Sequence, residues 1–333
     1  MGTVIIFGAT GTVGAYTAVY LKECGYDVVA SGRRKSDGGF FASKGMRYIP
    51  VDVCRREDFD ALPLSGVDFV VNLSGMLPAR MKGFDPQKYV DINMTGALNI
   101  LEYCVKAKAS RVVFTQSISD VAHLCGSPVP IPSDAPSAFP LDNDHSVYSI
   151  TKTAACHLLE HYSAHYGFRH FILRLPNIYL YHPNPYYYLD GEKKMQGYRR
   201  MIRMAMCGDE IQVWGNPSLV RDIVYVKDCC QMVEKCLSAD NPVSGMYNVG
   251  TGVGTSMEDQ VKGIVEIFSS PGKRSRITYD PSKPDSVEYV FDISKAIKEL
   301  GYRPKYGYLD YLKDFKQEMQ EQNFALLWGK EVE

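Results

Sequence analysis

The sequence predicts an α/β fold: a doubly wound parallel sheet with a smaller α/β region after it. Three observations carry this. An apolar, β-branched run beginning at Thr3 leads straight into glycines at three-residue intervals, Gly8, Gly11 and Gly14. Short apolar runs of strand character then alternate with helical periodicity as far as residue 175. Finally, 333 residues that are 45% hydrophobic and 23% charged have a globular composition and more length than one core usually fills.

Taken in order, the first strand ends at Gly8 and a helix is predicted over Ala15–Cys24. The turn between them, Gly8-Ala9-Thr10-Gly11-Thr12-Val13-Gly14, lets backbone come close to a ligand. The helix that follows presents unpaired N–H groups and a positive dipole end, which suits a pyrophosphate. The spacing is G-x-x-G-x-x-G, not the G-x-G-x-x-G of the general dinucleotide fingerprint. A second strand, Asp27–Ser31, leads into Gly32-Arg33-Arg34-Lys35 with no acid. An acid at this point bonds the ribose 2′-hydroxyl of NAD, whereas an arginine accommodates the 2′-phosphate of NADP. The run therefore leans toward NADP over NAD; the plainer reading is a solvated basic turn.

Met46–Val51 is predicted as a third strand, followed by Asp52-Val53, and Val67–Leu73 as a fourth, followed by Ser74-Gly75. A long helix, Pro86–Lys108, precedes a fifth strand, Arg111–Thr115. Gln116–Val147 is proline-rich and too long for an idle connection, so it is expected to shape a site. Ser146–Tyr166 reads as helix and Phe168–Leu175 as a sixth strand. Strands alternating with helices argue a parallel sheet covered on both faces. The expected division is a cofactor-binding domain at 1–175, to which segments near 221–250 return, and a substrate-binding region at 176–220 and 251–333. After Pro176 the aromatic stretch Tyr179–Tyr188 reads as the entry to this second region. Helical patterns at Gln196–Met206, Val226–Leu237, Met257–Phe268 and Tyr308–Gln320 alternate there with short strands at Ile211–Trp214 and Met246–Val249.

A net charge of −1 gives no electrostatic case for nucleic acid or an anionic membrane. A strand starting at residue 3 leaves no room for a signal peptide, and no apolar run approaches the length needed to span a bilayer. Nine scattered cysteines without a C-x-x-C suggest reduced thiols in a cytoplasm and no metal site.

The candidate chemistry is Tyr148-Ser149-Ile150-Thr151-Lys152, which puts a phenol and an ammonium one helical turn apart. Lowering a phenol from about 10 to about 7 takes about 4 kcal/mol of favourable charge interaction. A lysine cation beside an oxidised nicotinamide is expected to supply it. The phenolate is then a base when an alcohol loses hydride, and the phenol an acid in reverse. Ser117, just past the fifth strand, lies where open parallel sheets bind ligands and is placed to hold the reacting oxygen.

This ordered set resembles the extended short-chain dehydrogenase/reductase family, in its NAD(P)-dependent sugar epimerase/dehydratase branch, over nearly the whole chain. Matching pieces are the glycine turn, Asp52-Val53, Asn93 within Asn93-Met94-Thr95-Gly96, Ser117, Tyr148 with Lys152, and Arg174-Leu175-Pro176-Asn177-Ile178-Tyr179. Arg221-Asp222-Ile223-Val224-Tyr225 and Tyr247-Asn248-Val249-Gly250 extend the series. The resemblance implies a Rossmann domain and a catalytic set of Ser117, Tyr148, Lys152 and Asn93, with Asn93 supporting a proton relay around Lys152. It also implies that Asp52-Val53 holds adenine and that Leu73-Ser74-Gly75 lines the cofactor cleft. Pro176-Asn177-Ile178 would lie near nicotinamide and substrate, with Arg221 facing a substrate diphosphate. The implied partner is a nucleotide sugar, and the implied assembly a homodimer through Pro86–Lys108 and Ser146–Tyr166.

Three departures qualify the match, one of them Leu180-Tyr181-His182 in place of Gly-Pro after Asn177-Ile178-Tyr179. Ile118 and Ser119 replace the Asp-Glu pair of the dehydratases, which counts against loss of water from a keto sugar. The usual late arginine is replaced within Asp280-Pro281-Ser282-Lys283-Pro284-Asp285, which leaves Lys283 as the nearest cation. The expectation is therefore an epimerase or ketoreductase of a nucleotide sugar. The alternatives are a reductase of a non-sugar carbonyl compound, which the tyrosine stretch would suit, and a non-catalytic NADP-sensing regulator, whose known examples lack the Tyr and Lys.

Overall fold

The computed structural model describes residues 1–189 and 191–331. Its centre is a sheet of seven parallel strands: β1 (Thr3–Phe7), β2 (Asp27–Gly32), β3 (Arg47–Pro50), β4 (Phe69–Asn72), β5 (Arg111–Ser117), β6 (Arg169–Leu175) and a seventh, Gly245–Asn248. The spatial order is β3, β2, β1, β4, β5, β6 and the seventh strand. The chain winds outward from β1 through β2 to β3, then returns to pair β4 on the other side of β1. Winding thus reverses between β1 and β4, and at such a reversal a crevice opens beyond the carboxyl ends of the strands.

The alternation of side chains along each strand explains why these runs are apolar without interruption. Val4 and Ile6 face one layer together with Val28, Ala30, Val71 and Val113, against Ala15, Ala18 and Leu21 of the first long helix, α1 (Thr12–Glu23). Ile5 and Phe7 face the other with Val29, Val70 and Val112, against Ile100 and Leu101 of the helix Gly96–Ala107 and Leu159 of the helix Asp144–Tyr166. Each fully buried aliphatic side chain contributes about 1.5–3 kcal/mol.

Glycine is required at both ends of the first turn. Gly8 has φ +79°, and a Cβ there would lie 2.5 Å from the Ser74 nitrogen. At Gly14 a Cβ would lie 2.2 Å from the Gly8 oxygen, so this glycine lets α1 sit close against β1. The helix starts three residues before the predicted Ala15 because the turn itself closes its first loop of hydrogen bonds, Ala15 N–H to Gly11 O.

The predicted helix over 86–108 is present, but its middle, Val90–Thr95, is a wider π-helical turn between Pro86–Tyr89 and Gly96–Ala107. β5 runs two residues past its predicted end, to Ser117, and the following segment opens with a short 3-10 helix, Ile118–Leu124. The rest of this connection is pinned by the buried Arg174. Its guanidinium bonds both oxygens of Asp120, the carbonyls of Pro132, Ser133 and Ala135, and Asn248 Oδ1.

Beyond residue 176 the first tyrosines of the aromatic stretch are Tyr179 and Tyr181. Both are buried, with Tyr179 against Tyr198 and Tyr311 and Tyr181 against Phe315. Part of the same stretch, Tyr186–Leu189, forms a hairpin with Glu192–Met195. The chain then returns to the first domain face, where Phe324 and Trp328 stack beside Tyr16 of α1. No helix among the described residues is long and apolar enough to cross a membrane.

Candidate active site

At the reversal point a cleft of about 500 Å³ is lined by Gly8, Thr10, Gly11, Gly32, Arg33, Arg34, Asp52, Val53, Leu73, Ser74 and Gly75, all predicted from sequence. Thr12, Val13 and Gly14 lie outside that lining and form the first turn of α1. No side chain caps this helix at Gly11, so its first N–H groups are left for a ligand. The cradle fits a dinucleotide: glycines at Gly8, Gly11, Gly32 and Gly75 leave backbone along its wall, and Arg33, Arg34 and Lys88 bring positive charge to it.

Sequence reasoning missed Met76, Lys88, Asp91, Ile92 and Cys54 in this lining. Asp91 and Ile92 lie in the π-helical turn, a distortion frequent at functional sites that leaves no clear periodic signal. At the far end Asp52 Oδ1 accepts from Cys54 N–H. Burial, with the Asp52 charge beside it, pushes the Cys54 thiol up to about 11, which makes it a spectator.

The two arginines do not act alike. Arg33 is exposed at the cleft, and its charge is felt at Cys54. Arg34 Nη1 donates to the carbonyl of Leu327 at 2.6 Å.

The second group of residues sits at the carboxyl end of β5. Ser117 ends that strand, and its Oγ accepts from Ser119 N–H at 3.2 Å. Tyr148 and Lys152 lie on the helix Asp144–Tyr166, whose start is fixed by a reciprocal cap between Asn143 and Ser146. Both are buried, at 6% and 9% exposure. Burial raises the Tyr148 phenol to about 12, and hydrogen bonding to Ser117 works against the rise. Lys152 Nζ donates to Thr115 Oγ1 at 3.1 Å, and burial lowers its own pKa, so the ammonium is aimed at β5 rather than at the phenol. From about 12, reaching 7 takes about 7 kcal/mol.

Asn93, in the π-helical turn, bonds the Met76 N–H and carbonyl through both ends of its amide and donates to Thr151 Oγ1 at 3.2 Å. It ties the cleft loop after β4 to the helix that carries Tyr148 and Lys152. Thr115 and Thr151 were not singled out from sequence, where nothing distinguishes them from strand and helix filler.

Ser117, Tyr148, Lys152, Pro176, Asn177, Ile178 and Arg221 are not among the residues lining the cleft. Pro176 is buried and Asn177 exposed, while Ile178 pairs with Val224 in a two-residue strand. Arg221 Nε donates to Val287 O at 2.7 Å, and its charge and a hydrogen bond act on the Tyr179 phenol. Lys283 lies over the Trp214 ring at 5.8 Å.

A glycine turn at the reversal of a parallel sheet, with a Ser–Tyr pair and a lysine at the end of the fifth strand, defines an α/β enzyme of the dinucleotide-binding class. The sequence profile of the NAD dependent epimerase/dehydratase family matches residues 4–250, and the chain belongs to that family, in the sugar epimerase branch of the extended short-chain dehydrogenases/reductases. A UDP-glucose 4-epimerase of Pisum sativum is 24% identical over 336 residues, covering 93% of each chain. Two solved structures share the fold. The UDP-glucose 4-epimerase of Thermotoga maritima, crystallised with UDP-glucose, has a TM-score of 0.75 at 22% identity over 96% of this chain and 99% of its own. That of Thermus thermophilus, in complex with NAD, has a TM-score of 0.72 at 21% identity over 95% and 98%.

Proposed function

We propose that this chain is a nucleotide-sugar epimerase that inverts a carbinol carbon by removing and returning hydride. The observation that supports it most is that Asn93 bonds both Met76, which lines the cleft, and Thr151 on the helix that carries the buried Tyr148 and Lys152. A bound dinucleotide supplies the hydride acceptor and donor. Tyr148 takes the hydroxyl proton as hydride leaves and gives it back on return, while Ser117 holds the same oxygen. Lys152 lies one turn along the helix, poised to hold the cofactor's ribose and to stabilise the phenolate once it leaves Thr115. Asn93 fixes both helices to the cleft loop. Asp52 and Val53 receive the adenine; Pro176, Asn177 and Ile178 are read as the nicotinamide end, and Arg221 as the contact to the substrate diphosphate. Residues 1–175, with the strand at 245–248, form the cofactor domain in this reading, and 176–220 with 251–333 the substrate region.

Loss of water is disfavoured by the same geometry. The two residues after Ser117 are Ile118 and Ser119, and the next acid, Asp120, is fully buried with both oxygens on Arg174. A uridine diphosphate carrier is supported by the relatives' names. NAD is the family's cofactor, and Arg33 remains the residue through which NADP would be favoured. The helices Gly96–Ala107 and Asp144–Tyr166 pack on one another and are proposed as the homodimer contact. Nine unpaired cysteines fit a reducing, cytoplasmic setting.

The test is to incubate the purified protein with NAD and each of a set of UDP-hexoses and to follow the anomeric proton signals. Interconversion of one C4 epimer pair is expected. A protein that binds dinucleotide yet interconverts no pair would contradict the assignment.

A further inference from the structure

A residue near the end of the chain takes part in the geometry of the glycine turn. Trp328 Nε1 donates to the carbonyl of Thr10, inside that turn, at 3.1 Å. This carbonyl and the Gly11 N–H belong to one planar trans peptide and point in opposite directions. The Gly11 N–H donates to Gly8 O at 2.9 Å, so the Thr10–Gly11 peptide is held from both sides. The Thr10 side chain packs on Gly32, where a Cβ would lie 2.7 Å from Thr10 Oγ1. Two of these restraints are local or come from β2; the third comes from 318 residues further along the chain. Trp328 is itself fixed. Its ring stacks on Phe324 at 4.6 Å, His182 packs against it at 4.6 Å, and Phe324 lies 4.4 Å from Tyr16 of α1. On either side of it along the chain, Leu327 O accepts from Arg34 and the Glu331 carboxylate pairs with the buried Arg199. The ring stack asks only for an aromatic side chain, whereas the bond to Thr10 asks for a ring N–H.

The first turn of α1 follows this peptide directly, and no side chain caps it. The direction of its free N–H groups is set by the peptide before them, since each residue between has only two soft dihedrals. We propose that Trp328 is a positioning residue for the pyrophosphate of the bound dinucleotide: by fixing the Thr10–Gly11 peptide it pre-orients the N–H groups of the glycine turn. The inference rests on reading the cleft as a dinucleotide site, and it adds to that site a residue outside its lining. Trp328 acts through the turn and touches neither cofactor nor substrate. Donors already oriented lose less freedom when the ligand arrives, and the gain is read as affinity. It is confined to the phosphates, so a ligand without them is insensitive to it.

The experiment measures dissociation constants of ADP-ribose and of adenosine by titration calorimetry, in the full chain and in W328F and W328H. The phenyl ring of W328F keeps the stack and removes the N–H. The imidazole of W328H carries Nε2 where the five-membered ring of the indole carries Nε1. W328F is expected to bind ADP-ribose about three- to tenfold more weakly, the contribution of one hydrogen bond, and adenosine unchanged. W328H is expected to recover most of that loss. ADP-ribose held as tightly by W328F as by the wild type, an equal loss for adenosine, or a W328H no better than W328F would overturn the inference while leaving the functional reading intact. If W328F does not fold, W328Y, whose hydroxyl lies beyond the Nε1 position, takes its place with the same expectations. A full chain that binds neither ADP-ribose nor NAD would overturn the functional reading and this inference with it.

Discussion

At the scale of single residues, the site depends on how tightly Tyr148 holds its proton. The phenol is neutral, raised from the usual 10 to about 12 by burial. The folded state therefore holds this proton more firmly than the unfolded one. The stability this contributes is complete below pH 10 and is lost as pH climbs through 12. Absorbance at 295 nm, taken as the difference between wild type and Tyr148→Phe, should show no phenolate below pH 10 without cofactor. Saturating oxidised dinucleotide should bring the transition to lower pH. A phenolate visible near pH 7 without cofactor would contradict this account. Tyr148→Phe should lower turnover by about 10²–10⁴-fold while leaving dinucleotide affinity near normal. Turnover and equilibrium binding on the same preparation check it.

At the scale of elements, Arg174 fastens the connection after β5 to the carboxyl end of β6. Arg174→Leu would leave the Asp120 carboxylate buried without its partner, a loss of about 3–5 kcal/mol that denaturant unfolding would measure. Arg174→Lys is expected to recover only part of it, since an ammonium cannot fork across Asp120 and the facing carbonyls. The sequence made the ends of β1, β4 and β6 legible, because a strand buried on both faces must be apolar throughout and must stop where the chain turns. It could not show the π-helical turn at Val90–Thr95, since one added residue in a helix leaves hydrophobic spacing almost unchanged. Nor could it show that Tyr179 and Tyr181 are core: a tyrosine in a ligand wall and one in an aromatic cluster are written alike. The cofactor cleft was readable because backbone geometry demands glycine at Gly8 and Gly14. The direction of Lys152 and the capture of Arg34 were not, since each depends on a partner distant in sequence, Thr115 and Leu327.

For the whole molecule, Gly96–Ala107 and Asp144–Tyr166, which pack side by side, are the proposed surface for a second copy. Light scattering coupled to size exclusion should return twice the chain mass of 37.3 kDa. Ile150, 44% exposed on that long helix, replaced by aspartate should shift the mass toward the monomer. A wild-type protein that elutes as a monomer at micromolar concentration would contradict the proposed contact.

The central claim is that hydride leaves one carbon of a nucleotide sugar and returns to that same carbon on its other face. The most direct measurement uses UDP-glucose carrying deuterium at carbon 4, followed by proton NMR in ordinary water. The account predicts that the C4 epimer forms with its deuterium retained at carbon 4. Epimer that has exchanged this deuterium for solvent protium, or interconversion at the wild-type rate in Tyr148→Phe, would contradict it.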